Sequence, residues 1–134
     1  MADKNRILQL RGIIEGTAKG YTLVYKNLVS FYGEVDPSTA TLIPINKSIA
    51  GRILVIRGAR GSTVGPYILF SLYKNNKAPA AIISEHIEPI LVAGSVLGQI
   101  PLAQADSIDN IPDNCYAVLE STPPKATLKI IECE

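Results

Sequence analysis

The chain predicts a mixed α/β fold in one compact domain, on three observations. The apolar run Ile53-Leu54-Val55-Ile56 breaks into the small-residue turn Gly58-Ala59-Arg60-Gly61-Ser62-Thr63-Val64-Gly65-Pro66, and a helix-like stretch follows. Strand-like and helix-like segments keep alternating from Ala80 to Leu102, which implies right-handed parallel crossovers. Strand-like segments stand at both ends of the chain, so the whole reads as a β/β/α domain over residues 1–134. A chain of 134 residues is long enough to bury a real core.

The elements follow in order. Ile7-Leu8-Gln9-Leu10 opens a strand, with Gly12 and Gly16 behind it, and Tyr21-Thr22-Leu23-Val24-Tyr25 carries the β-branched and aromatic residues that suit a second. Phe31 to Pro37 reads as turn or loop, with Gly33 and Asp36-Pro37 as breakers. Gly51 to Ile56 is apolar without alternation, the pattern of a central strand covered on both faces. Pro66 to Lys74 suits a short helix with Pro66 at its first position, where the missing N–H costs nothing, and Asn75-Asn76 ends it. Ala80-Ala81-Ile82-Ile83 is another buried strand. Pro89 to Leu97 forms a helix stopped at Gly98, and Gln99 to Leu102 a short strand. Tyr116–Leu119 and Thr127–Ile131 are strands joined across Pro123-Pro124.

Composition narrows the function classes. Apolar residues make up 47% and charged residues 19%, which argues against disorder and for some surface covered by a partner. A net charge of +1 with scattered Lys and Arg gives no reason to expect nucleic acid or an acidic membrane. The charge-free run Pro89 to Ala105 is too broken by Gly94, Gly98 and Pro101 to span a bilayer. The polar start Met1 to Arg6 is unlike a signal peptide, so a cytoplasmic location is expected. Cys115 and Cys133 read as structural residues, each behaving as a small buried hydrophobe. With them and the single His86, no closed zinc or iron–sulfur site can be built from Cys and His alone.

The turn behind residue 56 carries the chemistry. Anionic ligands of α/β proteins bind outside the carboxyl end of a strand, near a helix N-terminus. Here that place holds Arg60, Ser62 and several main-chain N–H groups. The nucleophile elbow G-x-S-x-G is missed by one residue, because Gly65 stands three after Ser62, and no Walker A lysine follows the glycines. Ser62 is therefore either a turn serine capping a helix or a base whose alkoxide is favoured by positive potential. Arg60 is either a bidentate ligand for carboxylate or phosphate, or a loop arginine paired with a carboxylate. Arg57 reads as a weaker second cation. His86 lies on the same edge as Ser62 if the strands are parallel, and Glu85 and Glu88 read as solvated carboxylates near a helix start.

Five blocks occur in order: Ser30-Phe31-Tyr32-Gly33-Glu34-Val35-Asp36, Ile49-Ala50-Gly51-Arg52-Ile53-Leu54-Val55, Arg60-Gly61-Ser62, Lys77-Ala78-Pro79-Ala80-Ala81-Ile82-Ile83 and Pro89-Ile90-Leu91. The ordered set, over about residues 7 to 131, resembles the aconitase X small-subunit family, whose fold is a swivelling β/β/α domain. Relatives commonly have a glycine where this chain has Ala59, a second serine at Thr63, and Gly-Gly-Val-Asp where this chain reads Gly33-Glu34-Val35-Asp36. Pro66 likewise stands where a serine or other small residue is usual.

The resemblance implies a subunit of a dehydratase that is active only with a large subunit, as a heterodimer or higher assembly. The large subunit would hold a [4Fe-4S] cluster through its own cysteines, as Lewis acid for the leaving hydroxyl; no metal ligand is expected on this chain. Ser62 would be the proton acceptor, with Arg60, Gly61 and Thr63 touching substrate. The implied reaction removes water from (R)-5-phosphomevalonate to give trans-anhydromevalonate 5-phosphate, a step toward isoprenoids. Arg57 beside Arg60 would widen a basic pocket for the phosphate. The rim Gly58–Gly65 with Ser30–Asp36 would face the partner. A dehydratase of hydroxyproline or another small hydroxy acid is the alternative within this class, and a non-catalytic interaction module on the same fold is the alternative outside it.

Overall fold

The computed structural model describes residues 6–133. In chain order the elements are β1 (Arg6–Ile14), β2 (Gly16–Val29), α1 (Phe31–Glu34), β3 (Val35–Asp36), β4 (Thr41–Leu42), a 3₁₀ turn (Ile43–Ile45) and β5 (Lys47–Ser48). Then come β6 (Ile53–Ala59), α2 (Gly65–Lys74), β7 (Ala81–Ser84), α3 (Pro89–Leu97), β8 (Leu102–Gln104), β9 (Cys115–Thr122) and β10 (Lys125–Cys133). Seven strands close into a barrel in the order β1-β10-β9-β2-β6-β7-β8, and β3, β4 and β5 form a small separate sheet. The mixed α/β expectation holds, with closure of the barrel as the feature the sequence did not disclose.

The long β2 joins the two halves of the barrel. Gly16–Tyr21 pairs antiparallel with β9. Thr22–Val29 pairs parallel with β6 on its other side, with a register shift between Tyr25 and Leu28. β6, β7 and β8 continue in parallel. β9 and β10, the two strands expected to join across Pro123-Pro124, pair antiparallel as a hairpin, and β10 pairs with β1.

Alternation along the strands makes two cores. Ile53 and Val55 of β6, Ala81 and Ile83 of β7, Ala103, Ala117, Leu119, Leu128 and Ile130 fill the barrel. Leu54, Ile56 and Ile82 point the other way, onto Leu69 and Leu72 of α2 and Leu91 of α3. A strand whose two faces are both buried must be apolar throughout, which explains the unbroken runs at 53–56 and 81–83. β9 alternates buried and more exposed residues instead, so only one of its faces is covered.

Three sequence expectations are shifted. The central strand starts at Ile53 rather than Gly51, because Gly51 has φ +68° and turns the chain. The last parallel strand starts at Leu102 rather than Gln99, whose φ of +54° is not a strand conformation. Phe31–Glu34 is a helical turn, not a loop: the Ser30 Oγ accepts from the Gly33 N–H at 3.4 Å, and the Glu34 Oε1 accepts from the Ser30 N–H at 2.8 Å. This reciprocal cap is a capping box lengthened by one residue.

Both cysteines are structural, but not as separate thiols. Cys115 and Cys133 are opposite one another on β9 and β10 and joined in a disulfide. No helix among the described residues is long and apolar enough to cross a membrane.

Candidate active site

Parallel pairing gathers three strand ends on one edge of the barrel. β2 ends at Val29, β6 at Ala59 and β7 at Ser84, so Ser30, Arg60 and Glu85–Glu88 emerge side by side. The Arg60 N–H donates to the Val29 carbonyl at 2.9 Å, extending the ladder one step past the end of β6. Gly61 then leaves the sheet with φ +100°, a region costly for any residue bearing a Cβ. A Cβ there would also lie 2.9 Å from the Ser30 Oγ, so the α1 cap and this turn can touch only through a glycine.

Ser62 is held by its own turn. Its Oγ accepts from the Val64 N–H at 3.1 Å, and its carbonyl accepts from the Gly65 N–H at 3.1 Å. The hydroxyl proton is left free to turn outward, and the side chain is exposed. The N–H groups of Gly61, Ser62 and Thr63 make no hydrogen bond within the described residues. Thr63 is exposed beside them. The arrangement offers an incoming anion consecutive main-chain donors at the start of α2.

Helix α2 is fixed by close packing. Pro66 sits second in the helix, behind Gly65, rather than first. Leu69 and Leu72 are buried on the barrel wall. Gly94 of α3 lies so near that a Cβ would come within 2.8 Å of Leu69 Cδ1 and 3.2 Å of the Pro66 Cα. The two-helix contact thereby sets where the first turn of α2, and the Ser62 loop before it, can stand.

Charge on this edge differs from what residue counting suggests. Arg60 Nη2 lies 3.3 Å from Glu34 Oε2, so the carboxylate-paired reading of Arg60 describes this chain by itself. Arg57 does not join it. Residues three apart on a strand face opposite sides, and Arg57 turns instead to Glu85 at 2.6 Å and Asp109 at 3.1 Å. The guanidinium is thereby held more basic than usual, through the hydrogen bond to Asp109 first, with the charges of both carboxylates adding against desolvation. Asp109 is correspondingly held below its usual range, first by its hydrogen bond to Arg57 and then by the charge.

The two helix-start carboxylates are built in rather than merely solvated. Glu85 Oε2 also accepts from the Ile108 N–H at 2.8 Å, pinning the 106–112 segment. Glu88 Oε1 accepts from the Ala59 N–H at 3.1 Å and so ties α3 to the end of β6. His86 follows the end of β7, which runs parallel beside β6, and its main-chain N–H donates to the Arg57 carbonyl at 2.9 Å. Glu34 and Glu88 are the residues whose roles sequence reasoning missed. The Ser30–Glu34 spacing could have disclosed the first as a cap. Nothing in spacing could disclose Glu88, whose partner lies 29 residues away.

Around the loop the surface is apolar. Leu28, Tyr32, Val64 and Tyr67 are all exposed, Tyr32 at 63% and Tyr67 at 64%. No group of three or more His, Cys, Asp or Glu among the described residues could hold a metal ion, and the two thiols are joined to each other. These residues therefore do not fit an iron–sulfur cluster.

Known proteins match both the sequence and this architecture. The profile of the aconitase X swivel domain matches residues 7–129. A protein of Aeropyrum pernix named phosphomevalonate dehydratase small subunit is 50% identical over 92 residues, covering 69% of this chain and 68% of its own. One of the same name from Methanocella arvoryzae is 36% identical over 125 residues, covering 86% of this chain and 95% of its own. The crystal structure of Thermococcus kodakaraensis aconitase X in its holo-form superimposes with a TM-score of 0.84 at 33% identity, over 92% of this chain and 98% of that one. The match spans β1 to β10 and includes the Arg60-Gly61-Ser62 turn, so the chain belongs to the aconitase X swivel domain family.

Proposed function

We propose that residues 1–134 form the small subunit of a cytoplasmic two-subunit dehydratase, which converts (R)-5-phosphomevalonate to trans-anhydromevalonate 5-phosphate, with Ser62 as the base. The names of the archaeal relatives carry the substrate assignment and favour it over hydroxyproline. The observation that carries the role of this chain is the Ser62 turn itself: an exposed hydroxyl held by Val64, beside N–H groups that have no partner among the described residues.

The chemistry follows from those atoms. Ser62 Oγ takes the proton on the carbon next to the substrate carboxylate. The electron pair left behind forms the carbon–carbon double bond as the bond to the neighbouring hydroxyl breaks; the group departs as hydroxide, and the proton that Ser62 gives up when its alkoxide is restored turns it into water. A serine hydroxyl accepts a proton only where dipoles and cations stabilise its alkoxide. The turn N–H groups and Arg60 are the local sources. Arg60, Gly61 and Thr63 bind the substrate's anionic groups, Arg60 through its guanidinium and the others through main-chain N–H.

Arg57 is already occupied by two carboxylates, so a second cation for a substrate bearing both carboxylate and phosphate comes from the large subunit. The iron–sulfur chemistry of the enzyme likewise belongs to that subunit, whose [4Fe-4S] cluster would supply a Lewis acid. Leu28, Tyr32, Val64 and Tyr67 are the surface it covers, excluding water from the base.

Reconstitution tests the reading. The chain alone should not turn over phosphomevalonate, and adding the anaerobically prepared large subunit should start dehydration. Turnover by the isolated chain, or a reconstituted complex active on hydroxyproline and inert toward phosphomevalonate, would refute it.

A further inference from the structure

The carboxylate facing Arg60 is not a chance surface contact. Glu34 is the last residue of α1, its side chain is 22% exposed, and its Oε1 is anchored to the Ser30 N–H. Its Oε2 is thereby presented to Arg60 Nη2 from a fixed direction. Ser30 also touches the turn, since only the missing Cβ of Gly61 leaves room for the Ser30 Oγ. The α1 cap, Glu34 and the Arg60-Gly61-Ser62 turn therefore form one contact unit built by β2 and β6 together.

The pair is made to be exchanged. Its single contact of 3.3 Å is longer than the 2.7–2.9 Å typical of a charge-assisted hydrogen bond. Half of the Arg60 side chain is in solvent, where such pairs hold weakly. Glu34 cannot follow the guanidinium, because its other oxygen is held by the main chain. A carboxylate or phosphate that offers two oxygens to the guanidinium fork replaces it on better terms.

We propose that Glu34 occupies Arg60 as an internal stand-in for the substrate's anionic group, so that substrate must displace its carboxylate to reach the guanidinium. This rests on Arg60 being a substrate ligand. Glu34 thus competes with substrate for the guanidinium.

The test uses the assembled two-subunit enzyme with phosphomevalonate, in a cycle of Glu34→Gln, Arg60→Ala and the double variant. Glu34→Gln keeps an oxygen for the Ser30 N–H and removes only the competing charge. KM should fall by about two- to five-fold, with the melting temperature of the isolated chain unchanged. In the Arg60→Ala background the same change should leave KM where it is. Glu34→Ala, which loses the cap too, should lower KM similarly while melting earlier. If Arg60→Ala raises KM but neither Glu34 variant lowers it, Glu34 is only a helix cap and the proposal is refuted. If Arg60→Ala itself leaves KM unchanged, Arg60 is no substrate ligand, and both readings fall.

Discussion

Replacing Ser62 by alanine removes one oxygen atom, and the structure states what that atom does. In the folded chain it accepts one hydrogen bond, from the Val64 N–H at 3.1 Å. The neighbouring link from the Gly65 N–H to the Ser62 carbonyl is main-chain and survives. The side chain is exposed, so no cavity is left behind. A solvent-exposed bond of this kind is worth about 1 kcal/mol or less, and Ser62→Ala should melt within about 3 °C of the parent. Loss of a general base typically lowers the rate by about 10²–10⁴, which at about 1.4 kcal/mol per tenfold is roughly 3–5 kcal/mol on the barrier. The barrier therefore rises by several times what the fold loses. Single-turnover dehydration by the assembled Ser62→Ala complex measures the first quantity. Thermal melting of the subunit and binding of phosphomevalonate under non-turnover conditions check that fold and affinity are kept. A single-turnover rate within tenfold of the parent would remove Ser62 as the base.

Two further predictions concern links between segments distant in sequence. The disulfide between Cys115 and Cys133 closes a loop with a sequence separation of 18, worth about 3 kcal/mol in chain entropy, so reduction or a double Cys→Ala variant should lower the melting temperature by roughly 10 °C. Identical melting curves with and without reductant would show that the cross-link contributes nothing. Arg57 holds the Asp109 carboxyl below its ordinary value of 3.8. A depressed carboxyl contributes stability that is fully present above its unfolded value and is lost as pH falls through the folded one. Asp109→Asn should therefore melt slightly earlier at neutral pH and show a shallower loss of stability below about pH 4, whereas an acid limb that matches the parent's would mean that the pair carries no stability.

Much of the middle of the fold was legible because local chemistry decides it. The doubly buried runs 53–56 and 81–83, the prolines that open α2 and α3, and the small-residue turn at 58–66 each signal their conformation over a few residues. The Arg60-Gly61-Ser62 turn belonged to that local class, so the sequence by itself placed the candidate base and its arginine at a strand's carboxyl end. Pairing across distance was not legible. Closure of β1 on β8 joins residues some ninety positions apart, and neither strand carries a mark of its partner. The two cysteines looked like isolated hydrophobes until the β9–β10 register set them opposite one another. Arg57 looked like an ally of Arg60 because the two are near in sequence, yet strand alternation sends it to the other face, where Glu85 and Asp109 neutralise it. Glu34 and Glu88 acquire their roles only because β2, β6 and β7 run parallel and end on one edge. Local propensity and the hydrophobic pattern act within a few residues and can be read along the chain; the charge state of the edge depends on which strand lies beside which, and the tertiary fold alone decided that.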